Sequence, residues 1–200
     1  DSVKLRNIAD VDTGVFLSGG IDSSINAYLS SQISNKPINT FSIGYDRDYK
    51  SYKSELKYAK MVASDVKSNH YEKKLSKKDF TNIIEKVVYH QDEPISDPVC
   101  IPIYYLSEMS INNNVKVCQV GEGADELFFG YTNWMRTLKI ESVLKSFFLN
   151  KFIKKTIFFI IKFLKIDYKY SSDLIKRSIN KLPIFWSGAE GFTESDKNRF

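Results

Sequence analysis

Cysteine and histidine are nearly missing from the chain: Cys100, Cys118, His70 and His90 are the only ones in 200 residues. Two cysteines cannot build a disulfide framework at this length, and their scarcity points to a reducing compartment, most simply the cytosol. Without a CxxC or HxxxH spacing there is no zinc-type ligand set to read. Arginine is scarce as well, 5 against 24 lysines. Nucleic-acid binders usually spread arginine and aromatic side chains over a groove, so the formal net charge of +5 does not argue for a nucleic-acid partner. Long apolar runs are absent too. The stretch from Val143 to Leu164 is rich in Phe and Ile, but Lys145, Lys151, Lys154, Lys155 and Lys162 interrupt it. No span of roughly 18 apolar residues survives, which excludes a transmembrane helix there.

What is present is a globular composition, 42% hydrophobic and 26% charged, with room for one sizeable core and an appendage. The charge is unevenly placed. Asp1 to Thr137 holds 16 basic and 18 acidic residues, whereas Leu138 to Phe200 holds 13 basic and 6 acidic ones. That split, with the change in texture of the tail, sets expected domains at 1–137 and 138–200. The chain opens at Asp1 without Met and stops soon after a polar segment, Glu194 to Arg199, begins; a piece of a longer protein is expected.

Gly14-Val15-Phe16-Leu17 reads as a short buried strand that ends in Ser18-Gly19-Gly20, and a helical pattern follows from Asp22 to about Ile33. Asn39 to Ile43 is β-branched and aromatic, a second buried strand. Helices are expected over Ser54–Val66 and Lys78–Tyr89, from apolar residues recurring at three and four. His70-Tyr71-Glu72 is a candidate third strand between them. A Pro-punctuated loop spans Asp92 to Pro98, followed by a helix from about Pro102 to Ile111. Val115 to Val120 is the next clear strand, leading into Gly121-Glu122-Gly123-Ala124-Asp125-Glu126. Strands alternating with helices argue for an α/β fold, a parallel sheet with helices on both faces. The basic tail reads as a helix packed on its own protein, with a membrane-surface helix as the alternative.

The chemistry concentrates in two loops. A strand, then Ser18-Gly19-Gly20-Ile21-Asp22-Ser23-Ser24, then a helix makes a phosphate cradle. The glycines let backbone N–H groups close on an anion, the serines offer hydroxyls, and the helix start adds partial positive charge. Asp22 would repel phosphate unless a cation lies between them, and Mg²⁺, which takes one or two carboxylates, resolves this. Neither the Walker A pattern nor GxGxxG is present. These residues would also serve as an ordinary helix cap. Chance alone gives S-G-G-x-D-S about once in several thousand chains of this length, with each residue type at about 5–7%, which favours function. The second loop, Gly121 to Glu126, also follows a strand. Ligands of parallel α/β sheets bind at that carboxyl edge, where Asp125 can supply a second carboxylate to the same Mg²⁺.

Ser18-Gly19-Gly20-Ile21-Asp22-Ser23 resembles the pyrophosphate loop of the N-type ATP pyrophosphatases. Together with Phe41-Ser42-Ile43-Gly44, Asp92-Glu93-Pro94…Asp97-Pro98 and Gly121-Glu122-Gly123-Ala124-Asp125-Glu126-Leu127-Phe128-Phe129-Gly130-Tyr131, it resembles the synthetase domain of glutamine-hydrolysing asparagine synthetases. Pro183 to Glu190 looks like a less constant region of the bacterial members. The resemblance implies a Rossmann-like fold of the adenine nucleotide alpha hydrolase type, followed by a mainly helical part. It also implies a cytoplasmic ligase that takes ATP, Mg²⁺, aspartate and ammonia. Aspartate would attack the α-phosphate, pyrophosphate would leave, and ammonia would convert β-aspartyl-AMP to asparagine.

Carried over residue by residue, Ser18, Gly19, Gly20, Asp22 and Ser23 would hold pyrophosphate and metal. Leu17, Ile43, Val120 and Gly121 would flank the nucleotide, Glu122 would serve the adenylate step, and Asp125 would share the metal. Glutamine-derived ammonia would come from an N-terminal glutaminase domain absent from these residues, and homodimerisation is open. Val120 stands where many relatives have Ser, and Ala124 where Ser or Gly is frequent; altered nucleotide contacts are expected, with the chemistry kept. The family's pyrophosphate-binding lysine falls past Phe200, so the 200 residues alone are expected to have little activity. The acceptor is not legible: a sugar acid in surface-polysaccharide synthesis is one alternative, and a non-catalytic nucleotide-binding module is another.

Overall fold

Four short strands and the helices between them form the first part of the chain. The computed structural model describes residues 1–47, 55–93, 95, 97–146, 150–164 and 171–184. They divide into two compact units, Asp1–Glu122 and Gly123–Phe200.

In the first unit, helix α1 (Ser2–Arg6) precedes β1 (Thr13–Phe16), α2 (Ile21–Ile33) and β2 (Asn39–Tyr45). Next come α3 (Leu56–Asp65), β3 (Asn69–Leu75), α4 (Lys77–His90), α5 (Cys100–Asn112) and β4 (Val117–Gln119). The sheet order is β3-β2-β1-β4 and every pairing is parallel. Val15 is therefore flanked by Thr40 on one side and Gln119 on the other. The chain steps outward from β1 to β3, then returns past β1 to lay down β4 on the opposite flank. That reversal puts the crevice of an open α/β sheet between β1 and β4, at their carboxyl ends.

Side-chain alternation distributes the helices over both faces. Val15 and Leu17 point to one face and pack with Ala27 of α2 and Ala59 and Ala63 of α3. Ile43, Tyr45 and Leu75 point to the other and pack with Ile83 and Val87 of α4 and Ile101 and Tyr105 of α5. Phe41, fully buried, stacks on Tyr71 at 5.3 Å and meets Phe16 edge-on at 6.4 Å. Burying such a ring stabilises the sheet by about 1.5–3 kcal/mol. The expected parallel sheet with helices on both faces is what the chain forms.

Local chemistry fixes the ends of these elements. Ser76 and Asp79 form a capping box at α4: the carboxylate accepts from the Ser76 N–H at 2.7 Å, and the Ser76 hydroxyl accepts from the Asp79 N–H. The Ser76 hydroxyl, 2.6 Å from the Asp79 carboxylate, and the Ser76 N–H, both donating to it, hold that carboxyl below the usual carboxylate range. Helix α5 begins at Cys100, ahead of the expected Pro102, because Asp97 accepts the Val99 N–H at 3.0 Å and starts the turn early. Pro102 remains within the first turn, where proline is tolerated. Strand β3 runs four residues longer than His70-Tyr71-Glu72 suggests. As an edge strand it exposes alternate positions, so polar residues mask its pattern. Strand β4 is shorter than expected; Val115 is fully buried but outside the ladder.

The described residues of the second unit are mainly helical: α6 (Ala124–Phe128), α7 (Thr132–Lys145), α8 (Lys151–Phe163) and α9 (Ser171–Ile179). Asn150 caps α8 by accepting the Ile153 N–H at 3.0 Å. Leu144, Ile175 and Ile184 form a small core with Ile140, Ile157, Phe158 and Ile161 packed against it. One face of the lysine-rich helix thus packs on its own unit, as the tail reading expected. Among the described residues no helix is long and apolar enough to cross a membrane. Ser54, Pro94 and Ser96, as well as 185–190 of the Pro183–Glu190 stretch and the Glu194–Arg199 segment, lie outside the described residues.

Candidate functional site

Strand β1 delivers Leu17 to the carboxyl edge of the sheet, where its N–H still bonds Phe41 O at 2.8 Å and the Ser42 hydroxyl donates to its carbonyl. Beyond it the backbone must turn within three residues. Gly19 does so at φ +95°, in the left-handed region, and a Cβ there would lie 2.7 Å from Glu55 O and 2.8 Å from Ala59 N. Only glycine satisfies both the angle and the contact with the start of α3.

The serines hold this turn. The Ser23 hydroxyl accepts the Ser18 N–H at 3.2 Å and lies 3.0 Å from the Ser18 hydroxyl. Ser18 Oγ in turn accepts the Gly20 N–H at 3.1 Å. Ser24 Oγ donates back to Gly20 O at 2.7 Å. Sequence reading offered these hydroxyls as phosphate donors; in the fold, the hydroxyls of Ser23 and Ser24 brace the loop. What the loop presents outward is the first turn of α2, where the N–H groups of Ile21, Asp22 and Ser23 have no partner within the helix. Asp22 sits half-exposed on that turn.

The loop after β4 closes on the same turn. A Cβ on Gly121 would meet Ser23 N at 2.7 Å and the Asp22 carbonyl carbon at 2.8 Å. Two segments a hundred residues apart in sequence thus touch backbone to backbone, with glycine where a side chain cannot fit.

Around them opens a cavity of about 340 Å³. Of the residues singled out in the sequence, Leu17, Ser18, Ser23, Ile43, Val120, Gly121 and Glu122 line it, while Gly19, Gly20 and Asp22 form the adjoining turn. Glu122 is exposed at its mouth. The rest of the lining was not foreseen: Phe16, Phe41 and Tyr45 from the sheet, Val99 just before α5, and Pro102, Ile103 and Leu106 from α5. Their spacing at three and four on α5 was a legible signal of one apolar face. The cavity is apolar along α5 and polar along the loop, a division suited to a flat base at one end and charged oxygens at the other.

Asp125 belongs to the second unit, in the first turn of α6 behind Gly123, which is left-handed at φ +95°. Its carboxylate lies against Gly130: a Cβ there would fall 1.8 Å from Asp125 Oδ1. Glu126 accepts the Tyr131 hydroxyl at 2.6 Å, which holds its carboxyl below the usual range. The Gly123–Tyr131 segment is thus a closed turn in its own right. Among the described residues no group of three or more His, Cys, Asp or Glu is placed to hold a metal by protein ligands alone.

Residues 1–187 match the family model for asparagine synthase. The chain is 36% identical over 141 residues to asparagine synthetase [glutamine-hydrolyzing] 1 of Bacillus subtilis, covering 70% of this chain and 22% of that protein. It is 37% identical over 140 residues to a putative asparagine synthetase of Mycobacterium tuberculosis, covering 70% and 21%. A putative asparagine synthetase of Methanocaldococcus jannaschii is 34% identical over 155 residues, covering 77% and 28%. The chain therefore spans between about a fifth and just over a quarter of these relatives. Among solved structures, an NH3-dependent NAD synthetase from Campylobacter jejuni aligns at a TM-score of 0.42 and 17% identity, over 66% of this chain and 56% of that one.

Proposed function

The chain belongs to the asparagine synthase family, and from that premise we propose that it carries the nucleotide-activating part of an ATP-dependent ligase that amidates aspartate. The observation that supports this most directly is the junction of the Ser18–Ser23 loop and Gly121 at the rim of one cavity, where β1 and β4 end. In domain terms, the Asp1–Glu122 unit is the proposed ATP-pyrophosphatase part and the helical residues after it the extension; the boundary expected at 137/138 from charge falls inside α7, because charge changes within a helix that belongs to one compact unit.

ATP is placed with its base against Ile43, Val120 and the α5 wall and its phosphates on the first turn of α2. The side-chain carboxylate of aspartate attacks the α-phosphorus, and the bond to the bridging oxygen of pyrophosphate breaks. Ammonia then attacks the acyl carbon of β-aspartyl-AMP, loses a proton, and AMP departs as asparagine forms. The barrier of the first step lies mostly in charge on the departing pyrophosphate, so preorganised N–H donors matter more than a protein nucleophile. Gly19 and Gly20 allow the backbone close approach, while Ser18 and Ser23 keep the turn from relaxing. Glu122, at the cavity mouth, is assigned to the adenylate step.

The donor set fits Mg²⁺: one half-exposed carboxylate, Asp22, beside a phosphate-sized turn matches an ion that takes one or two carboxylates and completes its shell with substrate oxygens and water. When bound, Mg²⁺ would neutralise charge on the phosphates. Asp125 is assigned to the same ion from its place in the loop after β4 and from the resemblance. A glutaminase domain of the full-length protein is the proposed source of ammonia.

Product analysis of the full-length protein tests the reaction class. AMP and pyrophosphate, formed only with a carboxylate present, support it; ADP and phosphate, or ATP binding with no turnover, refute it. Supplying aspartate and sugar acids in parallel identifies the acceptor. Asp22→Asn should weaken Mg²⁺-dependent ATP binding, and unchanged Mg²⁺ dependence would reduce Asp22 to a helix-start residue.

A further inference from the structure

We infer that the second unit carries a docking surface for anionic lipid membranes, built on α8 and the end of α9. Helix α8 is apolar on two opposite sides. Ile157, Phe158 and Ile161 face the unit's own core. Phe152, Phe159 and Phe163, at i, i+7 and i+11, form a stripe on the far side and are 77%, 67% and 87% exposed. Ile153, Ile160 and Leu164 repeat the same spacing one position on and are partly exposed too. A single exposed Phe needs no explanation, but a stripe of three with an aliphatic stripe beside it forms a continuous apolar face.

Charge says what covers that face. Lys151, Lys155 and Lys162, at i, i+4 and i+11, follow one another along its other flank, so basic positions border the exposed aromatic ridge, with the Lys162 ammonium 5.2 Å from the Phe158 ring centroid. At the N-terminal end of α8, on the side that packs with α9, Lys151 and Lys154 and, after α9, Lys181 line a cavity of about 450 Å³ with Ser178, Ile179 and Asn180. Three cations, a hydroxyl and an amide, with no carboxylate among the described lining residues, suit a phosphate-bearing headgroup. A basic border beside Phe side chains is the pattern of helices that lie in the membrane interface, with the rings below the headgroups and the lysines among them. The helix cannot cross a bilayer, so attachment is peripheral. No residue assigned to the nucleotide takes part.

Flotation of the full chain with vesicles tests this. Phosphatidylcholine vesicles containing phosphatidylglycerol should carry the protein, pure phosphatidylcholine should not, and added salt should release it. Phe159→Ser combined with Phe163→Ser, both at mostly exposed positions, should abolish flotation while leaving the circular dichroism spectrum intact. Lys151→Glu with Lys181→Glu should weaken it by roughly fivefold or more per lysine. Absence of flotation with anionic vesicles would overturn the proposal, as for a face covered by the rest of the full-length protein. So would flotation unaffected by either double variant, or a mass change on sedimentation showing that the Phe ridge joins two copies of the chain.

Discussion

Replacing Gly121 with Ala probes the junction on which the functional reading rests. The added Cβ would sit 2.7 Å from Ser23 N and 2.8 Å from the Asp22 carbonyl carbon, where ordinary van der Waals contact starts at 3.4 Å. Both neighbours are backbone, so no rotamer change relieves the clash. The exit of β4 or the first turn of α2 has to move by roughly 0.7 Å, a shift that in a packed interior is worth about 1–3 kcal/mol of stability. The turn that moves is the one that presents the N–H groups to phosphate. A misplacement on the order of 1 Å at a reacting group lowers rates by about a hundredfold. In carboxylate-dependent exchange of pyrophosphate into ATP by the full-length protein, Gly121→Ala should therefore lose about two orders of magnitude. Its thermal midpoint should fall by a smaller, measurable step. Gly20→Ala is the control. Its backbone lies at φ −69°, open to any residue, and its Cβ would meet only the Ser18 hydroxyl at 3.3 Å, which can rotate. That variant should keep the thermal midpoint of the parent, which separates the backbone clash at Gly121 from the mere loss of a glycine in the loop. Exchange by Gly121→Ala within twofold of the parent would refute the claim that the two loops form one rigid cradle.

Gly44→Ala tests the sheet beneath the site: its Cβ would fall 2.2 Å from Leu56 Cδ1 on α3, so a denaturant titration should show a loss of about 1–3 kcal/mol. Equal stability would mean that α3 is not seated on β2. His70 gives the pH prediction. Burial lowers its pKa below 6.5, Glu72 raises it in part, and Lys60 lowers it further; Nδ1 lies 2.9 Å from Thr40 Oγ1. The unfolded chain takes up this proton before the folded one does. The contribution is therefore full above about pH 6.5, falls as pH drops below it, and levels off past the folded-state value. His70→Gln should show a shallower loss of unfolding free energy on acidification than the parent, and parallel curves would rule the residue out.

The alternation of Val15 and Leu17, the β-branched run from Asn39 and the three-and-four spacing of the helices are local patterns, and they carried the fold class. So did the two Gly-rich loops, because a sharp turn after a strand needs particular residues whatever lies around it. Four features were decided only in three dimensions. The reversal of strand order brought Gly121 against Ser23, a contact between residues a hundred positions apart that no periodicity encodes. Packing turned the hydroxyls of Ser23 and Ser24 inward as braces, since a hydroxyl's partner depends on which backbone carbonyl lies nearest. The α5 wall of the cavity came from the same tertiary approach, with Val99, Ile103 and Leu106 facing a space instead of a side-chain neighbour. In the tail, spacing showed that α8 is apolar and basic, but only packing could divide its apolar residues into a face buried in the unit and a ridge of Phe152, Phe159 and Phe163 left outside.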